Sequence, residues 1–231
     1  MSYQEITEID KYLGSLVKYD GGWLDPSIPN QQWELAKREV EDMKSGKIHA
    51  SFAALIDSIN FIGRTTGRDI MQVLEVGAGC AYNNEVIRMA PHATVYHACD
   101  YSPTFKAKAA EVYPSIQYDV CDATELPYQD GQFDVVLSGS CIEHIRDWKK
   151  AVDEALRVSG RWAIFYKIPI SYDRTRLFVK DVYNSACIEW WYNYGEFALS
   201  LRRCGFEQRL IIPSVVCEDH DWCTIVCEKI K

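Results

Sequence analysis

A chain of 231 residues is long enough to bury one α/β core without a second domain. With 48% hydrophobic and 25% charged residues, it has a globular composition, which excludes a disordered tail or a collagen-like repeat. A net charge of −8 argues against a phosphate backbone as main partner, because such proteins present a basic face, so no nucleic-acid partner is expected.

The N-terminal stretch MSYQEITEIDKYLGSL carries acidic residues and no long apolar core, so it does not read as a signal peptide. Nowhere is there an apolar run of about 18 residues, and no membrane partner is expected. The nine cysteines are odd in number and none stands in a CxxC pair. They read as small buried thiols of a reducing, cytoplasmic protein, and no metal site is expected.

Residues 1–68 are predicted to be helical and free of strands, forming a lid over the domain that follows. Trp33, Ala36, Val40 and Met43 recur at helical spacing within 31–45, and a second apolar-faced helix is expected over 50–62. The Gly- and Pro-bearing stretch DGGWLDPSIP reads as a loop. From 71 onward short apolar runs alternate with helical ones. Strands are predicted at 71–77, 93–100, 115–122, 133–140 and 161–169, and helices at about 82–90, 103–112 and 146–157. This alternation implies a mostly parallel sheet covered on both faces. Residues 169–194 break the pattern with a polar, aromatic stretch. A helix near 194–204 and a hairpin built from EQRLIIPSVV and DWCTIVCEKI close the chain.

The strongest local motif is Val73-Leu74-Glu75-Val76-Gly77-Ala78-Gly79-Cys80-Ala81, a buried strand ending in a glycine turn that opens a helix. Glycines at 77 and 79 permit positive φ and close approach of a ligand to the backbone. A plain strand–turn–helix connection is the alternative reading. Asp100 ends the next strand 23 residues beyond Gly77, where a carboxylate accepts hydrogen bonds from ribose hydroxyls; capping the following helix is its other possible role.

After the third strand comes Asp122-Ala123, then Leu126-Pro127, Phe133-Asp134, Ser138 and Glu143-His144-Ile145. With this series, covering about 71–168, the chain resembles the class I S-adenosylmethionine-dependent methyltransferases, in particular the broad subgroup acting on small molecules. The resemblance implies a Rossmann-like seven-stranded, mostly parallel sheet with a C-terminal antiparallel hairpin strand, here preceded by the N-terminal lid. It implies S-adenosylmethionine as cofactor, with Glu75, Gly77, Ala78 and Gly79 around its methionine part. Asp100, Tyr101 and Ser102 would hold the ribose, and Asp122, Ala123 and Ser138 would flank the rest. Ala81 stands where the family often has a third glycine, and Tyr82 after it can reach the cofactor or the acceptor.

His144 is the candidate general base, and support of the cofactor pocket is its alternative role. Open α/β sheets bind ligands at the carboxyl ends of their strands. There Trp23, Tyr82, Arg174, Trp190 and Trp191 are predicted to meet the acceptor, with Tyr12 or Trp23 over the cofactor. Arg174, Arg176 and Lys180 could hold an anion or form a solvated face. Trp190-Trp191-Tyr192 could wall a ring or fill the core. Residues 169–194 are expected as an acceptor-side insertion within a domain spanning 69–231.

The expected function is methyl transfer to a small molecule, on a hydroxyl oxygen of a sugar, phenol or natural-product intermediate, by a monomer or homodimer. A nicotinamide-dependent oxidoreductase is the alternative, weakened because Gly77 and Gly79 are followed by Tyr82 and not by a third glycine. A non-catalytic cofactor-binding protein is another. Amino-methylation of nucleic acid would require an Asn/Asp-Pro-Pro-aromatic turn where Ser138-Gly139-Ser140-Cys141 stands, and no Pro-Cys dipeptide exists for attack on a cytosine ring.

Overall fold

A computed structural model describes residues 3–8, 13–67 and 70–230. The chain begins with β1 (Tyr3–Glu5) and two short 3-10 turns, Leu13–Tyr19 and Gly22–Leu24. Helices α1 (Ile28–Lys44) and α2 (Ala50–Thr66) follow. The alternating region comprises β2 (Ile70–Val76), α3 (Asn83–Ile87), β3 (Ala93–Asp100), α4 (Pro103–Val112), β4 (Gln117–Val120) and β5 (Phe133–Gly139). After a 3-10 turn at Ile142–His144 come α5 (Trp148–Val158), β6 (Ser159–Ser171), β7 (Arg176–Val182), β8 (Ser185–Asn193), α6 (Tyr194–Arg203), β9 (Phe206–Val216) and β10 (His220–Lys229).

Seven strands run side by side in the order β4-β3-β2-β5-β6-β10-β9, and only β10 is antiparallel to its neighbours. This is the Rossmann-like sheet expected from the sequence. Its central strands are apolar on both faces (Val73, Leu74, Val135, Val136, Ala163 and Ile164 are all buried), because helices cover both sides. On one face Leu55, Ile59 and Ile62 of α2 meet Val73, Leu137 and Ile164. On the other, Ala151, Val152 and Leu156 of α5 meet Ala163, Phe165 and Ile225.

Two expectations about the periphery change. The first is that α2 belongs to the core and not to the lid: its apolar stripe packs on β6, β9 and β10, so the N-terminal cap ends before residue 50. The second concerns strands outside the main sheet. Residues 176–193 are an antiparallel β7–β8 hairpin, and Tyr3–Glu5, expected to be helical, pairs with β7 as its outer strand. This three-stranded ribbon joins the main sheet where β8 lies parallel to the last residues of β6, Ile170 and Ser171, beyond the end of β5. The hairpin turns on Tyr183 and Asn184, both left-handed at φ 53° and 63°. A two-residue turn of this kind is normally marked by Asn-Gly or Asp-Gly, so Tyr-Asn leaves little signal in the sequence. Among the described residues no helix is long and apolar enough to cross a membrane.

If α2 is a core layer, Ile59→Ala should cost about 2–5 kcal/mol in urea unfolding through one cooperative transition. Leu35→Ala on the exposed side of α1 should stay within about 0.5 kcal/mol.

Candidate active site

A cavity of about 660 Å³ opens at the carboxyl ends of β2, β3, β5 and β6, roofed by the N-terminal segment and the β7–β8 hairpin. Its floor is the turn after β2. Gly77, Gly79 and Ala81 are all left-handed, at φ 72°, 53° and 60°. The positive φ at Ala81 explains why a third glycine would suit that position. The Gly77 and Ala78 amides donate to the Cys99 carbonyl at 2.8 and 3.0 Å, which pins the turn to β3. A Cβ on Gly77 would lie 2.0 Å from Cys141 Sγ, so the position has neither the backbone freedom nor the room for a side chain.

Asp100 ends β3 against this turn. One carboxylate oxygen accepts from the Gly79 amide at 3.1 Å and the other from the Ser102 amide at 3.0 Å. Its ordinary pKa is pushed up to about 6 by burial, with these amide bonds opposing. Asp100 also lines the cavity, so its carboxylate keeps acceptor capacity beyond these amides. Both roles weighed for it therefore coexist: it braces the start of α4 and still offers a hydrogen-bonding face. Asp122 Oδ1 accepts from the Thr124 amide and hydroxyl, and Asp122, Ala123, Tyr101 and Phe105 line the same end of the cavity.

Four residues expected at the cofactor lie behind the cavity wall. Glu75 is buried beneath the turn, where it accepts from Asn83 Nδ2 at 2.6 Å and from the Tyr96 hydroxyl. Burial raises its pKa to about 7 despite these bonds, so it supports the turn instead of facing a ligand. Ala78, Ser102 and Ser138 are also buried and off the wall, their side chains turned into the packed interior.

Of the predicted acceptor residues, Trp23 and Tyr82 line the cavity. The Trp23 ring lies 4.9 Å from His144 and 6.2 Å from Tyr183. Arg174 is exposed away from it and pairs with Glu5 at 3.1 Å, while Arg176 pairs with Asp173 and Asp219. These arginines form a solvated network. Trp190 donates to the Ile145 carbonyl and packs in the core. Trp191 donates to Glu189 and stacks on His220 at 3.8 Å. Neither tryptophan is on the wall, because Trp190 packs in the core and Trp191 packs against Tyr3, Phe178 and His220. Tyr12 lies outside the described residues.

The cavity also gathers Gln32, Ser140 and Lys167, which the sequence did not single out, and Lys180, which it offered as an anion holder or part of a solvated face. Gln32 of α1 reaches over the turn, and its Oε1 accepts from the Cys80 amide at 2.9 Å. Lys180 of β7, buried, donates to Glu189. Just after β5 and within β6, Ser140 and Lys167 are both left-handed, at φ 46° and 55°, and the Ser140 hydroxyl donates to the Lys167 carbonyl at 3.1 Å. Such strain is held only where surrounding structure enforces it. It directs the following 3-10 turn, and with it Glu143 and His144, to the cavity wall. No group of three or more His, Cys, Asp or Glu among the described residues could hold a metal ion.

His144 Nδ1 lies 2.7 Å from the Ile188 carbonyl, which only accepts, so Nδ1 carries the proton and Nε2 presents a lone pair. Burial, with Lys180 nearby, pushes its pKa down to about 3, so the ring is neutral at physiological pH. Glu143 is fully buried, and neither carboxylate oxygen has a hydrogen-bond partner among the described residues. Burial pushes its pKa up to about 7 against the opposing pull of its own amide, Lys180, Ser140 and Lys167.

Known proteins share this architecture. Residues 74–164 match the family model described as a methyltransferase domain. The chain is 47% identical over 54 residues to norajmaline N-methyltransferase of Rauvolfia serpentina, covering 23% of this chain and 18% of that protein. It is 35% identical over 95 residues to a Mycobacterium tuberculosis protein named "Probable S-adenosylmethionine-dependent methyltransferase", covering 41% and 33%. The matches thus span about a fifth to a third of these curated relatives. Among solved structures, an S-adenosylmethionine-dependent methyltransferase of Clostridium acetobutylicum superposes with a TM-score of 0.61 at 12% identity, over 86% of this chain and 99% of that one. The 1,6-didemethyltoxoflavin-N1-methyltransferase of Burkholderia thailandensis does so with a TM-score of 0.57 at 17% identity, over 88% and 91%. At these identities the superpositions establish the fold.

The raised carboxyl of Glu143 has a consequence for stability. A carboxyl whose folded pKa lies above its unfolded value favours folding fully below the unfolded value and loses that contribution as pH rises through the folded one. Between about pH 4.5 and pH 7 the ligand-free protein should lose stability at this position. Glu143→Gln should abolish the loss and be more stable than the parent by about 3 kcal/mol at pH 8, with no difference near pH 4.5, measured by urea unfolding across pH.

Proposed function

We propose that the chain is a class I S-adenosylmethionine-dependent methyltransferase that binds S-adenosylmethionine over the Gly77–Ala81 turn and methylates a heteroatom of a small molecule held in the same cavity. The observation that carries this reading is the pairing of a left-handed glycine turn with a buried carboxylate that keeps acceptor capacity on the cavity side. The residues fit the cofactor. Gly77 and Gly79 add no side chains to the floor, Asp100 offers oxygens to a diol, and Asp122 to Thr124 with Phe105 line the space for a ring. Bound there, the cofactor supplies an electrophilic methyl group on a sulfonium.

The rest is done by the chain's own residues. Gln32, Tyr101, Trp23 and Tyr183 line the cavity and confine what it holds, and positioning of this kind supplies much of the rate of a direct transfer. His144, with its proton fixed on Nδ1, orients an acceptor through the lone pair of Nε2. The hydroxyl oxygen expected from the sequence is one heteroatom that suits this description. Nitrogen is another, and the names of the relatives from Rauvolfia serpentina are those of N-methyltransferases.

Calorimetric titration should give micromolar binding of S-adenosylmethionine and S-adenosylhomocysteine and none of NAD; NAD binding alone would overturn the reading. Asp100→Ala should weaken S-adenosylhomocysteine by about 1.5–3 kcal/mol, roughly 10- to 100-fold in Kd. Once an acceptor is known, any inflection of the rate near pH 6.5 should persist in His144→Gln, because His144 stays neutral throughout. An inflection there that disappears in His144→Gln would restore this residue as the general base.

A further inference from the structure

Glu143 and His144 place two hydrogen-bond acceptors side by side with no donor between them. Glu143 Oε1 lies 3.9 Å from His144 Nε2. The Nε2 lone pair is bare because Nδ1–H is committed to Ile188, and both Glu143 oxygens lack partners although the side chain is fully buried. Both residues are on the cavity wall. A buried carboxylate without a partner is costly, and folded proteins retain one where a ligand satisfies it.

The charges around the pair indicate what that ligand is. From β7, Lys180 faces Glu143 but already donates to Glu189, whose other oxygen takes the Trp191 indole N–H. Glu189 therefore takes the Lys180 hydrogen bond, so Lys180 and Lys167 act on Glu143 only through space and give it no donor. From β6 comes Lys167, from β8 come Cys187 and Tyr192, and Cys141 lies on the same turn as Glu143. Across the whole wall six carboxylates stand against three basic side chains. An anionic acceptor does not suit this balance. A hydroxyl brings one proton for two acceptors. A protonated primary or secondary amine brings at least two N–H groups, and its positive charge suits a wall on which carboxylates outnumber basic side chains.

We propose that Glu143 and His144 form a two-acceptor clamp for a primary or secondary ammonium group, and that this nitrogen is the atom methylated. One N–H donates to His144 Nε2 and another to Glu143. The N–H bond to Glu143 then breaks, its proton moves to a carboxylate oxygen, and its electron pair remains on nitrogen as the lone pair a nucleophile requires. Glu143 is the proton acceptor and His144 the positioning residue. The ring of such an amine would lie among Trp23, Tyr82 and Tyr183. This inference rests on the methyltransferase reading for the fate of the nitrogen, and on geometry alone for the clamp.

The test is equilibrium binding of four single-ring probes to the protein, with S-adenosylhomocysteine affinity measured first. At pH 8 benzylamine should bind at least tenfold more tightly than benzyl alcohol, benzoate and benzyltrimethylammonium, the last having the charge but no N–H. Glu143→Gln should weaken benzylamine at least tenfold while S-adenosylhomocysteine and benzyl alcohol stay within threefold, which also certifies that the variant is folded. Equal binding of benzyl alcohol or of the quaternary cation overturns the clamp. So does unchanged benzylamine affinity in the Gln variant, or failure of all four probes on a protein that holds S-adenosylhomocysteine. A protein with the amine preference that fails to bind S-adenosylhomocysteine keeps the clamp and loses the methyltransferase reading.

Discussion

The end of β2 has to leave the sheet through left-handed steps at residues 77, 79 and 81, and the rest of the site depends on that turn being held. Four of its groups are tied to neighbouring strands. The Gly77 and Ala78 amides donate to the Cys99 carbonyl, the Gly79 amide donates to Asp100, and the Gly79 carbonyl accepts from the Tyr118 hydroxyl at 2.7 Å. From below, Glu75 binds Asn83 at the start of α3 and Tyr96 on β3. Each group is buried, so breaking any of these bonds leaves an unsatisfied polar atom in a low dielectric. The turn is rigid for that reason, and a rigid floor is what a ligand approaching the backbone needs.

Buried carboxylates recur around this floor, but they differ in how they are satisfied. Glu75 has two side-chain donors, Asp100 has two amides, and Glu143 has none. Burial holds all three above the usual carboxylate range. The gradation from fully satisfied to unsatisfied follows their distance from solvent-side function. Glu75 is framework, Asp100 serves framework and ligand, and Glu143 has only the cavity to face. A protein that retains the third sacrifices stability for a site, as is common where activity requires groups the fold alone would not favour.

The roof is assembled from distant segments. Gln32 caps the Cys80 amide, the Cys80 thiol donates to the Pro29 carbonyl at 3.2 Å, and Arg146 pairs with Asp20 at 2.8 Å. Ser185 at the hairpin donates to the Gly22 carbonyl at 2.9 Å. These contacts join the N-terminal cap and the β7–β8 ribbon to the same cavity that the glycine turn floors. An acceptor entering this space meets both.

The periodicity of the sequence was sufficient for a mostly parallel sheet covered on both faces, because strands buried on both faces must be apolar throughout and helices between them must be amphipathic; its seven-stranded form followed from the resemblance. The glycine turn, Asp100 and Asp122 were legible for a related reason: left-handed backbone and an acid at a strand end are local requirements written in adjacent residues. The ribbon was not legible, since its turn uses Tyr183-Asn184 and its third strand, Tyr3–Glu5, comes from the far end of the chain. Nor were the fates of charged and aromatic side chains. Arg174 and Lys180 look alike in sequence, yet one is solvated beside Glu5 and the other is buried against Glu189. Trp190 and Trp191 look like a cleft wall and instead fill two sides of β8. Likewise Glu143 and His144 were readable as a motif, but whether their acceptors would be used up or left facing a cavity depended on what Ile188, Lys180 and Glu189 did. Local backbone demands are set by neighbours in the chain; the pairing of a buried charge is set by neighbours in space, and only the folded structure decides those.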